Sequence, residues 1–172
     1  LSVINKKGLS KKDVDNLFFD VVDFDSEEPV EKPKFKANIY SRENQACAST
    51  ALATHFGHLS SEIRGKKVFG DDIYLLSAIK KDSIGVIYNN LGYLYDVNSR
   101  SLKEGIALLP VDLKKDAKLI LNGNLDDVIN VLETNKIETI PVQEIGFIYS
   151  EQNKRKEVAE FLRWILAEGQ KF

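Results

Sequence analysis

Cysteine is nearly absent: Cys47 is the single one in 172 residues. One thiol excludes an internal disulfide framework and a multi-cysteine zinc site. It does not fix a compartment, because exported chains can do without disulfides. An excess of either charge is missing too, with 24 Lys plus Arg against 26 Asp plus Glu and a formal net charge of −2. A general nucleic-acid binder needs a basic excess to neutralise phosphates, so this balance argues against that class. No apolar run approaches the ~18 residues that span a bilayer. The longest, such as Ile106 to Leu109, are strand-sized. No internal repeat, low-complexity tract or signal peptide is visible. The opening Leu1-Ser2-Val3-Ile4 lacks an initiator methionine and reads as mid-strand, as in a processed protein or an excised fragment. The length suits one domain with a real core, or at most two small ones.

What is present is apolar spacing. Ser10 opens a first helix with Asp13 as its capping-box partner, and Val14, Leu17 and Phe18 share one face. Asp20 to Lys36 is acidic, then Pro- and Lys-rich, and reads as a solvated loop. Ala37 to Ser41 predicts a strand, and Ala46 to Phe56 a helix of small residues ended by Gly57. Val68-Phe69 is a short strand. Asp71 or Asp72 caps a helix with Ile73, Leu76 and Ile79 on one side. Ile84 to Tyr88 reads as a strand of buried type. Tyr93 to Val97 and Ile106 to Val111 read as two more, joined by a polar turn around Asn98-Ser99. Lys114 to Asn124 is a polar loop, and Asn124 caps a helix carrying Leu125, Val128, Ile129 and Leu132. Ile145, Phe147 and Tyr149 alternate like a strand. Val158, Phe161, Leu162, Ile165 and Leu166 mark a last helix, stopped by Gly169. Strands alternating with helices predict an α/β fold, with some antiparallel pairing near residues 93 to 111.

The segment richest in chemistry is Tyr40-Ser41-Arg42-Glu43-Asn44-Gln45-Ala46-Cys47-Ala48-Ser49-Thr50. A strand ends, an arginine follows, and a helix of very small residues begins. Helix starts carry unsatisfied N–H groups and partial positive charge, and small side chains let an anion approach them. Arg42 adds a two-pronged donor matched to an oxyanion. Ser49 and Thr50 offer hydroxyls. The plainer alternative is an ordinary cap, with Arg42 in a surface ion pair to Glu43.

The next segment runs Ala78-Ile79-Lys80-Lys81-Asp82-Ser83-Ile84-Gly85-Val86-Ile87-Tyr88, helix then turn then strand. Here the chain resembles the phosphate-binding receptor of bacterial phosphate ABC importers, whose helix start "S-R-x-x-x-S-G-T" precedes a "V…A-I-K-K-D-x-x-G-I-G-Y" unit. Glu138-Thr139-Ile140-Pro141-Val142 before Gly146 to Tyr149 resembles that family's return segment. Phe161-Leu162-Arg163-Trp164-Ile165-Leu166 with Glu168-Gly169-Gln170 resembles its late helix, and Leu9-Ser10 with Phe18-Phe19 its opening. The resemblance spans Val3 to Phe172 and implies one lobe of a type II periplasmic-binding-protein fold, a mixed sheet of about five strands flanked by helices. Residues 1–142 would form the second lobe of a two-lobed receptor, and 143–172 the return strand and late helix normally packed on the first lobe.

The same resemblance implies a function. The chain is expected to be a non-enzymatic solute receptor for inorganic phosphate or a similar tetrahedral oxyanion, without cofactor or metal. Its partner would be the permease of an ABC importer, at a periplasmic or cell-surface location. No nucleic acid is implied, and the membrane would be reached only through that permease or an upstream lipid anchor. Arg42 matches the family's anion-binding arginine and is expected to face an open cleft. The family's Ser-Gly-Thr falls on Cys47-Ala48-Ser49 with one residue inserted, which keeps a hydroxyl at Ser49, or on Ala46-Cys47-Ala48 without it. Asn44 or Glu43 stands where the family orients its arginine with Asp. Tyr88-Asn89-Asn90 is read as hinge or pocket rim. A ligand-sensing or adhesion module on the same fold is the alternative.

Other residues point less far. Eight helical positions separate Cys47 from His55, about 12 Å at 1.5 Å per residue, too far for a nucleophile and its base. His55 and His58 flank Gly57 without a third metal ligand at suitable spacing. Asp112 and Asp116 fall where related receptors carry a calcium-loop-like turn, but Lys114, Ala117 and Lys118 take positions that need oxygen ligands or glycine. Tyr93, Tyr95 and Trp164 read as packing aromatics.

Overall fold

Helix starts and strand edges leave backbone groups that must find partners, and this chain supplies them locally. The computed structural model describes residues 8–19, 36–111, 123–134, 138–142, 146–148, 150, 152 and 155–171. Among these lie six α-helices: α1 (Lys11–Phe18), α2 (Cys47–Phe56), α3 (Ile73–Ile79), α4 (Leu91–Leu94), α5 (Leu125–Thr134) and α6 (Lys156–Leu166). Three strands accompany them, β1 (Asn38–Arg42), β2 (Lys66–Val68) and β3 (Gly85–Val86). No helix among the described residues is long and apolar enough to cross a membrane. The chain divides into two compact units, Leu1–Val142 and Gln143–Phe172.

Local chemistry sets several boundaries. The Asp13 N–H donates to Ser10 Oγ at 3.2 Å while the Ser10 N–H donates to Asp13 Oδ2 at 2.9 Å, closing the start of α1. Asn124 and Asp127 exchange the same pair of bonds at the start of α5, at 3.0 and 3.3 Å. Gly57 ends α2 with φ +80°, and its N–H reaches back to the Thr54 carbonyl.

The sheet is small and parallel, in the order β2-β1-β3. β1 is central: Tyr40, Ser41 and Arg42 stand opposite Lys66, Lys67 and Val68, and Asn38 and Ile39 opposite Gly85 and Val86. α2 carries the chain from β1 to β2, and α3 returns it past β1 to β3. Leu17, Phe18 and Phe19 pack with Ile39, Leu52 and Ile63 in one core cluster. Tyr95, Leu125 and Val128 form a second.

The α/β class holds, but the sheet is not mixed and has three strands rather than about five among the described residues. Among the described residues antiparallel pairing is confined to isolated bridges, Tyr95 with Leu102 and Phe19 with Ile63. Of the strand expected at Tyr93 to Val97, Tyr93 and Leu94 fall in α4, while Tyr95 is extended and bridges antiparallel to Leu102; Leu91 and Leu94 pack with Tyr95 on the α5 cluster. Ile106 to Val111 forms no strand; Pro110 has no N–H to give a ladder, and only Val111 bridges to Leu9. The strand expected over Ile84 to Tyr88 shortens to β3, an edge strand whose neighbour Ile84 is exposed. Of the strand expected from Ile145, Phe147 and Tyr149, residues 146–148 carry none, and Ile145 and Tyr149 lie outside the described residues. The last helix ends at Leu166, before Gly169, and buries none of its side chains; Phe161 and Trp164 stack at 6.3 Å and stay exposed. Of the loops read at Asp20 to Lys36 and Lys114 to Asn124, residues 20–35 and 114–122 lie outside the described residues, as do Asp112 and Asp116.

Gly65 fixes how β2 meets β1. Its φ is +92°, and a Cβ there would stand 2.2 Å from the Ile39 carbonyl oxygen of the central strand. Gly57, at φ +80°, has open space around its missing Cβ. Gly65→Ala adds a backbone clash to the left-handed penalty and is expected to cost roughly 3 kcal/mol or more, against about 1 kcal/mol for Gly57→Ala. Urea denaturation of both variants measures this; equal losses would mean that the close approach to Ile39 carries no energy.

Candidate functional site

Parallel strands end on one edge, and here three connections leave from it: 43–46 into α2, 69–72 into α3 and 87–90 into α4. The chain first moves to one side of β1 and then to the other. The carboxyl edge at such a reversal is where open α/β sheets form crevices.

Arg42, the last residue of β1, is the charge at this edge and is only 9% exposed. It does not face an open cleft, because its guanidinium is held by two carboxylates. Nη1 donates to Asp72 Oδ1 at 2.5 Å and Nη2 to Glu43 Oε1 at 3.3 Å. Nε is buried and has no acceptor among the described residues. Burial alone would lower the Arg42 pKa; the hydrogen bond and charge of Asp72, followed by those of Glu43, outweigh it and hold the pKa above its ordinary value. The ion pair to Glu43 expected of a surface arginine is therefore present, but the shorter and more buried contact is to Asp72.

Ser49 knits the strand to its neighbour. Its fully buried Oγ donates to the Arg42 carbonyl at 3.2 Å and lies 2.8 Å from the Tyr88 hydroxyl. Tyr88 sits edge-on to Phe18 at 5.4 Å, and burial pushes its phenol pKa up. Asn89 Nδ2 donates to the Asp72 carbonyl at 3.1 Å, tying the third connection to the second. Tyr93 is drawn to Asp71, whose charge is the main cause of its raised pKa.

The first turn of α2 completes the edge. Its N-cap, Ala46, offers no side-chain acceptor, so the opening N–H groups are left without a side-chain cap. Cys47 is exposed, Ala48 half-buried, and Asn44 exposed on the preceding turn. Arg42, Cys47, Ala48 and Ser49 thus share one edge, with the Ser49 hydroxyl turned inward onto Arg42 and Tyr88. Asp72 was legible only as a helix cap. In fact Asp71 takes that part, accepting the Ile73 N–H at 3.1 Å, and leaves Asp72 to Arg42. The signal was the carboxylate doublet itself: one cap needs one Asp.

Both histidines have structural partners. His55 Nε2 lies 2.6 Å from the Glu138 carbonyl. His58 stacks on Phe19 at 4.1 Å and meets Asp15 at 2.8 Å. Among the described residues no group of three His, Cys, Asp or Glu converges to hold a metal ion. No protein-family model matches the chain, and no curated protein or solved structure matches it either.

Removing the Tyr88 hydroxyl should cost about 1 kcal/mol, the worth of one hydrogen bond. It should also change the alkaline limb. An unfolded tyrosine ionises near ~10, whereas folded Tyr88 holds its proton to higher pH. The stability this supplies is full below that value and is lost as pH rises through the folded pKa. Tyr40, Tyr93 and Tyr95 shift the same way. Tyr88→Phe should therefore flatten, without abolishing, the fall in melting temperature above about pH 10; an unchanged slope in thermal melts would rule out this account of Tyr88.

Proposed function

We propose that the chain supplies half of a seat for a tetrahedral oxyanion, inorganic phosphate foremost, in a non-enzymatic solute receptor that feeds an ABC importer. On this reading the chain is one lobe of a type II periplasmic-binding-protein fold, exported to the periplasm or cell surface. The supporting observation is the juxtaposition of Arg42 with the uncapped first turn of α2 at the carboxyl edge of a parallel sheet. Arg42 is the charged donor. The N–H groups of Cys47, Ala48 and Ser49 are the neutral ones, and small side chains there let oxygen approach. Asn44 stands at the rim. The order of motifs along the sequence supports the same class of ligand.

A charged hydrogen bond contributes on the order of 1.5–3 kcal/mol, so Arg42→Ala should weaken phosphate binding roughly 10- to 150-fold. It should also destabilise the fold by a few kcal/mol, because it leaves the partly buried Asp72 carboxylate without its partner. Calorimetric titration of phosphate into both proteins, below the lower melting temperature, measures the first effect, and thermal melts the second. Equal affinities for phosphate would refute the assignment of Arg42 as donor.

A further inference from the structure

A planar guanidinium presents its Nε–H parallel to one N–H of Nη2, and these two form a fork that fits two oxygens of one acceptor. On Arg42 that fork is half filled. Nη2 donates to Glu43 Oε1 at 3.3 Å, while the buried Nε has no acceptor among the described residues. The other end of the group is settled, because Nη1 donates to Asp72 Oδ1 at 2.5 Å. We propose that an oxyanion meets Arg42 side-on, taking Nε and Nη2 together, and that Glu43 is the carboxylate that yields its place while Asp72 stays. This rests on the oxyanion reading above and adds the side of approach and the residue that guards it.

Three observations carry it. The first is the unmet donor. A buried N–H without an acceptor is a standing cost, and this one opens on the side that Glu43 holds. An oxygen arriving there satisfies it, whereas one arriving at Nη1 does not. The second is the unequal hold of the two carboxylates. The Glu43 contact is the longer, and its side chain is 34% exposed against 15% for Asp72. Glu43 is thus the looser occupant. The third is what its release leaves intact. The Ala46 N–H donates to the Glu43 backbone carbonyl at 3.1 Å, so the turn into α2 is held by main chain and not by the carboxylate. Rotation of the Glu43 side chain opens the fork without moving that turn, and the freed carboxylate regains water. One anion replaces another beside Arg42, and two charge-assisted hydrogen bonds replace a single long one.

Inorganic phosphate is titrated into the full chain as wild type, Glu43→Ala and Asp72→Asn, with a thermal melt of each. Removing the guard should tighten phosphate binding about tenfold, since its contact to Nη2 no longer has to be broken. Asp72→Asn should bind more weakly than wild type, because Asp72 holds the guanidinium in place from Nη1. Both variants remove one negative charge, so a purely electrostatic gain would appear in both. Equal or weaker binding by a folded Glu43→Ala, with wild type binding, overturns the side-on exchange and leaves the oxyanion reading standing; tighter binding by Asp72→Asn does the same. No binding by any folded form removes the oxyanion reading and the exchange with it. NMR of the wild type gives a readout that neither substitution can disturb, and it decides with Glu43→Ala if Asp72→Asn does not fold. Phosphate should move the Arg42 Nε–H signal downfield, as a new hydrogen bond does, and an unmoved signal at saturating phosphate overturns the proposal.

Discussion

A guanidinium nine-tenths buried at the end of the central strand must be answered by acceptors, and the carboxyl edge of this sheet is organised around that demand. Taking Arg42 out of water is costly unless charge and hydrogen bonds replace the hydration. Asp72 and Glu43 supply the charge. They come from different connections, so meeting the demand of one side chain also joins the loop after β1 to the loop after β2. Asn89 then joins the loop after β3 to Asp72 through the backbone. The edge is one hydrogen-bonded unit because a single cation had to be buried there.

The opposite need, to bury apolar surface, sets what lies behind that edge. Ile39 on β1 packs with Leu52 and Ala53 of α2 and with Leu17 and Phe18 of α1. Phe18 meets Tyr88 edge-on, and the Tyr88 hydroxyl meets Ser49. The apolar cluster and the polar edge therefore share a residue whose ring belongs to one and whose hydroxyl belongs to the other. A tyrosine suits such a boundary because its body is apolar and its tip is not.

Much of this was legible in residues whose preference is local. The Ser10 and Asp13 pair closes its helix start through atoms only three residues apart, and Asn124 with Asp127 does the same. Gly57 is the left-handed residue after a helix because glycine alone takes that conformation without penalty. The strand around Ile39 and the small-residue helix after it were legible from spacing. The failures came where a long-range partner decided. Tyr93-Leu94 read as a strand start but close the short helix α4, whose Leu91 and Leu94 pack toward α5, and extended pairing begins only at Tyr95. Asp72 looked like a cap because its neighbour to the arginine lies 30 residues away. The Ser49 hydroxyl looked like a ligand donor because nothing in the sequence indicated that Tyr88 and the Arg42 carbonyl would claim it.

The resident pair also changes what binding at this edge would cost. An arginine facing open water would have to be dehydrated by its ligand, and that penalty would count against affinity. Arg42 has already lost its water to the fold, and a carboxylate oxygen already sits on Nη1. Replacing that oxygen with one from a phosphate exchanges one charge-assisted hydrogen bond for another of the same kind, with the released carboxylate regaining water. The balance then depends on donors that the carboxylate does not already satisfy, the N–H groups of the uncapped first turn of α2. Arg42 Nε–H opens on the Nη2 side of the guanidinium, where Glu43 sits, and away from the Nη1 contact to Asp72. On the oxyanion reading, an external acceptor gains over Asp72 only through the α2 N–H groups, and the contact to Arg42 Nη1 by itself decides little.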